Sequence, residues 1–140
     1  MGIALYTASS TASGGRKGIV KSSDGILDLE LAMPKGLGGK GDVAATNPEQ
    51  LFSAGYAACF DSALQLVAGK ARKKITSEIT AEVSIEKQLK GFGLSVKLIA
   101  EISGVTQEEA EDLIEKAHQT CPYSRAIEGN VKVTKKVIVK

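Results

Sequence analysis

The chain is short of most residue types that announce a ligand. Tryptophan is absent, aromatics make up 4%, and there is one histidine, His118. Few aromatics and a formal charge of only +2 argue against nucleic acid, which calls for basic patches and stacking platforms. No run of lysine and arginine is long enough to form a basic arm. The Lys132–Lys140 tail alternates lysine with valine and reads as a strand with one solvated face. A lone histidine and two cysteines without a Cys-x-x-Cys spacing supply too few ligands for a zinc site. No stretch approaches the roughly 18 consecutive apolar residues of a membrane span, and the opening MGIALYTASSTASGG lacks the charge and apolar run of a signal peptide. These absences predict a cytoplasmic protein with no membrane or nucleic-acid partner, no metal and no bound cofactor.

A length of 140 residues, 43% of them hydrophobic, suits a single domain spanning 1–140. Two segments alternate with period two. Ile79, Ala81, Val83 and Ile85 share one face, as do Leu94, Val96, Leu98, Ala100 and Ile102, with Gly91 and Gly93 at the turn between them. An earlier hairpin is expected from 17–21 and 27–31 around Asp24-Gly25, and a final strand over 131–139. Two helices interrupt the strands. The first, about Pro48–Lys70, opens on Asn47-Pro48-Glu49-Gln50, where asparagine caps, proline fits the first turn and Gln50 can reach back. It is apolar nearly all round, as a buried central helix is. The second, about Gln107–Gln119, opens on the capping box Thr106-Gln107-Glu108-Glu109, and its apolar face runs through Ala110, Leu113, Ile114 and Ala117 to Cys121, before Pro122 ends the regular run. Strands in runs rather than singly between helices predict an α+β fold with a largely antiparallel sheet packed on the long helix.

Cys59 and Cys121 are the candidate chemistry. In a reducing compartment a permanent structural disulfide is disfavoured, and a pair that meets is more often a redox couple. Taken alone, however, each cysteine also suits a small core hydrophobe. A working Cys59 must ionise, and it lies twelve residues past the cap (59 minus 47), beyond reach of its own helix dipole. It therefore needs a cation from elsewhere. Arg16, in Gly14-Gly15-Arg16-Lys17-Gly18, offers a permanently charged planar fork, and Glu49 could hold that fork by a bidentate pair. Either residue equally fits a plainer role, Arg16 as a solvated loop side chain and Glu49 as a first-turn acid. His118, three residues before Cys121, could tune that thiol or stand by it partly exposed. Gly36-Leu37-Gly38-Gly39-Lys40-Gly41 fits Gly-x-Gly-x-x-Gly, but no helix opens on it and no serine or threonine follows Lys40, so dinucleotide and phosphate-loop readings fail.

The stretch Asn47-Pro48-Glu49-Gln50-Leu51-Phe52-Ser53-Ala54-Gly55-Tyr56-Ala57-Ala58-Cys59-Phe60, with Cys121-Pro122-Tyr123-Ser124 and the early Gly-Arg-Lys-Gly, resembles the Ohr/OsmC family, and its organic hydroperoxide resistance branch in particular. The resemblance covers nearly the whole chain. It implies a cysteine peroxidase that reduces organic hydroperoxides, with Cys59 as the attacking thiolate, Cys121 as its disulfide partner, Arg16 as the activating cation and Glu49 as the acid that orients it. It further implies an intertwined homodimer with sites at the subunit interface. The reductant would be a lipoyl-type dithiol, such as a lipoylated protein or dihydrolipoamide. The OsmC branch, and a non-enzymatic redox sensor or apolar-ligand carrier on the same fold, are the alternatives.

Overall fold

A computed structural model describes residues 2–41 and 44–140, and its contacts fall into two compact units, Met1–Leu51 and Phe52–Lys140. The first contains a three-stranded antiparallel sheet, β1 (Ser10–Ser13), β2 (Ile19–Ser22) and β3 (Asp28–Glu30), in that order. The β2–β3 hairpin forms where Asp24-Gly25 predicts it. Ser22 Oγ donates to Asp24 Oδ1 at 2.6 Å, that carboxylate also accepts from the Ile26 amide, and Gly25 takes a φ of 75°. Strand β1 has no counterpart in the sequence reading, because Ser-Thr-Ala-Ser carries no apolar alternation and all four residues are exposed.

The first helix, α1 (Pro48–Lys70), has the expected limits. Asn47 Oδ1 accepts the Gln50 amide at 2.8 Å, which caps it, and Pro48 loses nothing at a position whose N–H has no helical partner. The Gln50 side chain also accepts from the Thr46 hydroxyl. By length and mean hydropathy α1 could cross a bilayer, the one such helix among the described residues, contrary to the expectation that no segment comes close. Alanine, leucine and valine raise its hydropathy, while Asp61 and Gln65 keep the apolar run from being unbroken. Its larger residues Tyr56, Phe60, Leu64 and Val67 are buried in a protein core instead.

That core belongs to the second unit, where β4 (Thr76–Gln88) and β5 (Gly91–Ser103) form a long antiparallel hairpin. Ile79 faces Ala100, Ala81 faces Leu98, Val83 faces Val96 and Ile85 faces Leu94. Each pair puts apolar side chains on one face, so a one-residue slip would turn the whole set to solvent. Val96, Leu98, Ala100 and Ile102 are 0–3% exposed and pack on α1 and on α2 (Gln107–Thr120) through Leu113, Ile114 and Ala117. The α2 capping box is present in both directions. Its Glu109 also pairs with Lys73, and mainly that pair pulls the carboxyl from its ordinary 4.5 down to about 2.

Three further features differ from the sequence reading. Pro122 does end the run of α2, but it also opens a further helix, α3 (Pro122–Ile127), with Cys121 in extended conformation between the two. Strand β6 (Lys132–Val139) lies parallel to β5, since a helical crossover returns the chain in its original direction. On β6, Lys135 sits on the inner face and pairs with Glu115 of α2 at 2.8 Å, so the lysines do not all share the solvated side. An inward charge on a sheet's edge strand also discourages edge-to-edge association.

Candidate active site

In the first unit, Arg16 sits in a short 3₁₀ turn, Gly15–Lys17, entered through Gly14 and Gly15 at φ of 81° and 59°. Positive φ favours glycine there. Gly18 is bound to its identity by space, because a Cβ would stand 1.7 Å from the Ser13 carbonyl oxygen. The loop projects the guanidinium onto Glu49, with Nη1 donating to Oε2 at 2.8 Å and Nη2 to Oε1 at 2.5 Å. This is a fork-on-fork pair. Glu49 is 13% exposed, and the Arg16 hydrogen bonds draw its carboxyl below the usual range while Arg16 is held further in its charged form. The pair is thus complete above the ordinary carboxylate pKa and weakens only as pH falls through the depressed one. The two residues predicted to act together do meet.

In the second unit, the cysteines are free and adjacent. The Cys121 thiol donates to Cys59 Sγ across 3.6 Å, although 62 positions separate them in sequence. Cys121 is fully buried and Cys59 partly exposed. A disulfide bond is about 2.05 Å long, so the sulfurs are one short displacement from bonding. Burial pushes the Cys59 pKa up, and the neighbouring Cys121 adds to that rise. Opposing both, the Tyr123 backbone N–H donates to the Cys59 sulfur. This contact comes from the first turn of α3, so a helix terminus does reach Cys59, though not that of its own helix.

Around the thiols lies an aromatic cluster. Phe52, Tyr56 and Tyr123 approach one another with ring centroids 5.8–5.9 Å apart, and Phe60 packs on Tyr56 at 6.4 Å. Gly55 makes room for Tyr123, as a Cβ there would lie 2.6 Å from its hydroxyl. Below the rings, Tyr56 shares a hydrogen bond with Ser124, which in turn meets His118. Burial first, then Lys135, lowers the His118 pKa and favours its neutral form. The Tyr123 amide, Ser124 and Tyr56 were not singled out from sequence. One contact is made by backbone, and the other two residues meet across 68 positions. No group of three or more His, Cys, Asp or Glu side chains able to hold a metal occurs among the described residues.

An α+β chain with a long central helix and two apposed free thiols has the features of an OsmC-like protein, and the family model described as OsmC-like protein matches residues 39–136. The organic hydroperoxide resistance protein OhrA of Bacillus subtilis is 53% identical over 95% of this chain and 96% of its own. An organic hydroperoxide resistance protein of Xanthomonas axonopodis is 48% identical over 93% and 92%. The crystal structure of an organic hydroperoxide resistance protein from Legionella pneumophila superposes with a TM-score of 0.93 at 52% identity, covering 98% of this chain and all of that one. The chain belongs to the OsmC-like family and, within it, to the organic hydroperoxide resistance proteins.

Proposed function

We propose that this protein is a thiol peroxidase that reduces organic hydroperoxides to alcohols and so protects against organic peroxide stress. The observation that carries the reading is the reduced thiol pair at 3.6 Å, one sulfur buried and the other partly open. The relatives' names support the substrate class. The Cys59 thiolate attacks the distal peroxide oxygen, the O–O bond breaks, and the departing alkoxide takes a proton to leave as the alcohol. Cys59 is thereby oxidised by two electrons to a sulfenic acid. Cys121 then attacks the Cys59 sulfur, the S–O bond breaks, and water leaves with the Cys121 proton. An external dithiol of lipoyl type reduces the resulting disulfide by exchange.

Cys59 needs a cation, since its own surroundings raise its pKa. We assign that role to Arg16, oriented by Glu49, on the strength of the bidentate pair and the family resemblance. The guanidinium also stabilises the charge that develops as the O–O bond breaks. The aromatic cluster beside the thiols favours bulky apolar hydroperoxides over hydrogen peroxide. The working form is an intertwined homodimer in the cytoplasm, a compartment reducing enough to keep a cycling thiol pair in use.

Steady turnover of cumene hydroperoxide with dihydrolipoamide tests the proposal. Cumyl alcohol should appear in step with dithiol oxidation, and an absence of consumption by the reduced protein would overturn it. Cys121→Ser should still reduce the first equivalent, leaving a Cys59 sulfenic acid that a trapping reagent captures. Dithiol-driven cycling should fall by about tenfold or more, and Cys59 should overoxidise with further peroxide. Cycling at the wild-type rate in this variant would remove Cys121 from the resolving role.

A further inference from the structure

A line of three hydrogen-bonded side chains runs through the core beside the thiols, and the chemistry above uses none of their polar atoms. His118 Nδ1 is 3.0 Å from Ser124 Oγ, which is 2.6 Å from the Tyr56 hydroxyl. The members come from α2, α3 and α1. Each stands three residues from a cysteine: His118 before Cys121, Ser124 after it, and Tyr56 before Cys59. That spacing keeps each within one helical turn of a sulfur. Tyr56 and Ser124 are 0% and 2% exposed, so their hydroxyls must be satisfied inside the protein, and each satisfies the other. An apolar core would need no such line. A fully satisfied buried network does something an apolar core does less well, which is to specify one arrangement of the elements it joins.

What this line joins is α3 to the other two helices. Helix α3 follows directly on Cys121, its N-cap residue, and presents the Tyr123 amide to Cys59. It is only six residues long and cannot hold its place by its own hydrogen bonds. We propose that His118, Ser124 and Tyr56 are positioning residues for disulfide formation, holding α3 so that the Cys121 sulfur waits within reach of Cys59. The inference rests on the peroxidase reading and deepens it.

The two chemical steps make different demands on α3. Attack on the peroxide draws on α3 only through the Tyr123 amide and requires no movement of Cys121. In the second step its sulfur must travel from 3.6 Å to bonding distance of the Cys59 sulfur while hydroxide leaves with the thiol proton as water. A misplacement of about 1 Å can cost a reaction about 100-fold, so loosening α3 penalises the second step far more than the first.

The test is a single turnover of the reduced full-length protein with one equivalent of cumene hydroperoxide. Samples are quenched in time, and mass mapping counts the trapped Cys59 sulfenic acid and the Cys59–Cys121 disulfide. In Ser124→Ala, sulfenic acid should form within about threefold of the wild-type rate and the disulfide at least about tenfold more slowly. Tyr56→Phe, which keeps the ring and removes only the hydroxyl, should move the same ratio in the same direction. His118→Asn retains a hydrogen-bonding atom near the Nδ1 position and should recover most of the rate that His118→Leu loses. A purely structural role would slow both steps in equal proportion, and that result overturns the proposal, as does an unchanged disulfide rate. Should Ser124→Ala fail to fold, Tyr56→Phe and the two His118 variants decide on the same criteria. If the wild-type protein itself forms no disulfide, the peroxidase reading fails, an outcome distinct from either of these.

Discussion

Cys59→Ser is expected to consume no organic hydroperoxide above the uncatalysed background. A serine hydroxyl beside the same groups stays protonated near neutral pH and is a far weaker nucleophile than a thiolate. His118, the sole histidine, is held by Ser124 and so is engaged within the core. The remaining thiol cannot substitute, because Cys121 is fully buried where Cys59 is partly open. The loss should therefore be complete within the assay's range, with the fold retained, since sulfur and oxygen differ little in size. Peroxide consumption measured with dihydrolipoamide checks this, and substantial turnover in the variant would exclude Cys59 as nucleophile.

The second large effect is expected at Arg16. Burial and the neighbouring sulfur both raise the Cys59 pKa, and the Tyr123 amide offsets them only in part. A raised thiol pKa means that the reactive thiolate appears only as pH climbs toward that value. In the proposed mechanism the Arg16 guanidinium reverses this. Arg16→Ala should accordingly move the Cys59 pKa upward by more than one unit, equivalent to about 1.4 kcal/mol of lost thiolate stabilisation. The rate should fall further than ionisation explains, by about 10²–10³ in total, because the same cation serves the breaking O–O bond. Lysine at position 16 should restore only part of the activity, since a point charge cannot make the paired contacts seen with Glu49. Alkylation of Cys59 against pH, in a Cys121→Ser background, measures the shift. An unchanged pKa would mean that another group activates the thiolate.

Much of this architecture was legible because local signals and burial agree. Asn47-Pro48 marks the start of α1, and the Thr106–Glu109 box marks that of α2. The alternation in 79–85 and 94–102 is the inner face of the β4–β5 hairpin. Where local signal and outcome part, a distant partner decides. Strand β1 is exposed and polar, so only its pairing with β2 defines it. The direction of β6 depends on the crossover before it, and Lys135 faces inward because Glu115 of α2 meets it there. Proline is a reliable stop signal for the helix before it and an equally good opening for the next, so Pro122 marks the end of α2 without revealing α3.

The site divides in the same way. Residue types and motif made Arg16, Glu49, Cys59 and Cys121 candidates, but no spacing rule could bring together thiols 62 positions apart. The resemblance to a family implied that pairing before the structure placed the sulfurs side by side. His118 stood out only by its place three residues before Cys121, and the Tyr123 amide, Ser124 and Tyr56 carried no signal beyond the motif that contains them. One is backbone, and the two hydroxyls look like ordinary core and cap groups until they are seen to meet.

The central reaction is the capture of a peroxide oxygen by Cys59 followed by condensation with Cys121. Its most direct measurement adds one equivalent of cumene hydroperoxide to the reduced protein without any dithiol and maps both cysteines by mass spectrometry. The expected result is one equivalent of cumyl alcohol and a Cys59–Cys121 disulfide in place of the two free thiols. Recovery of both thiols unmodified with the hydroperoxide intact would contradict the account.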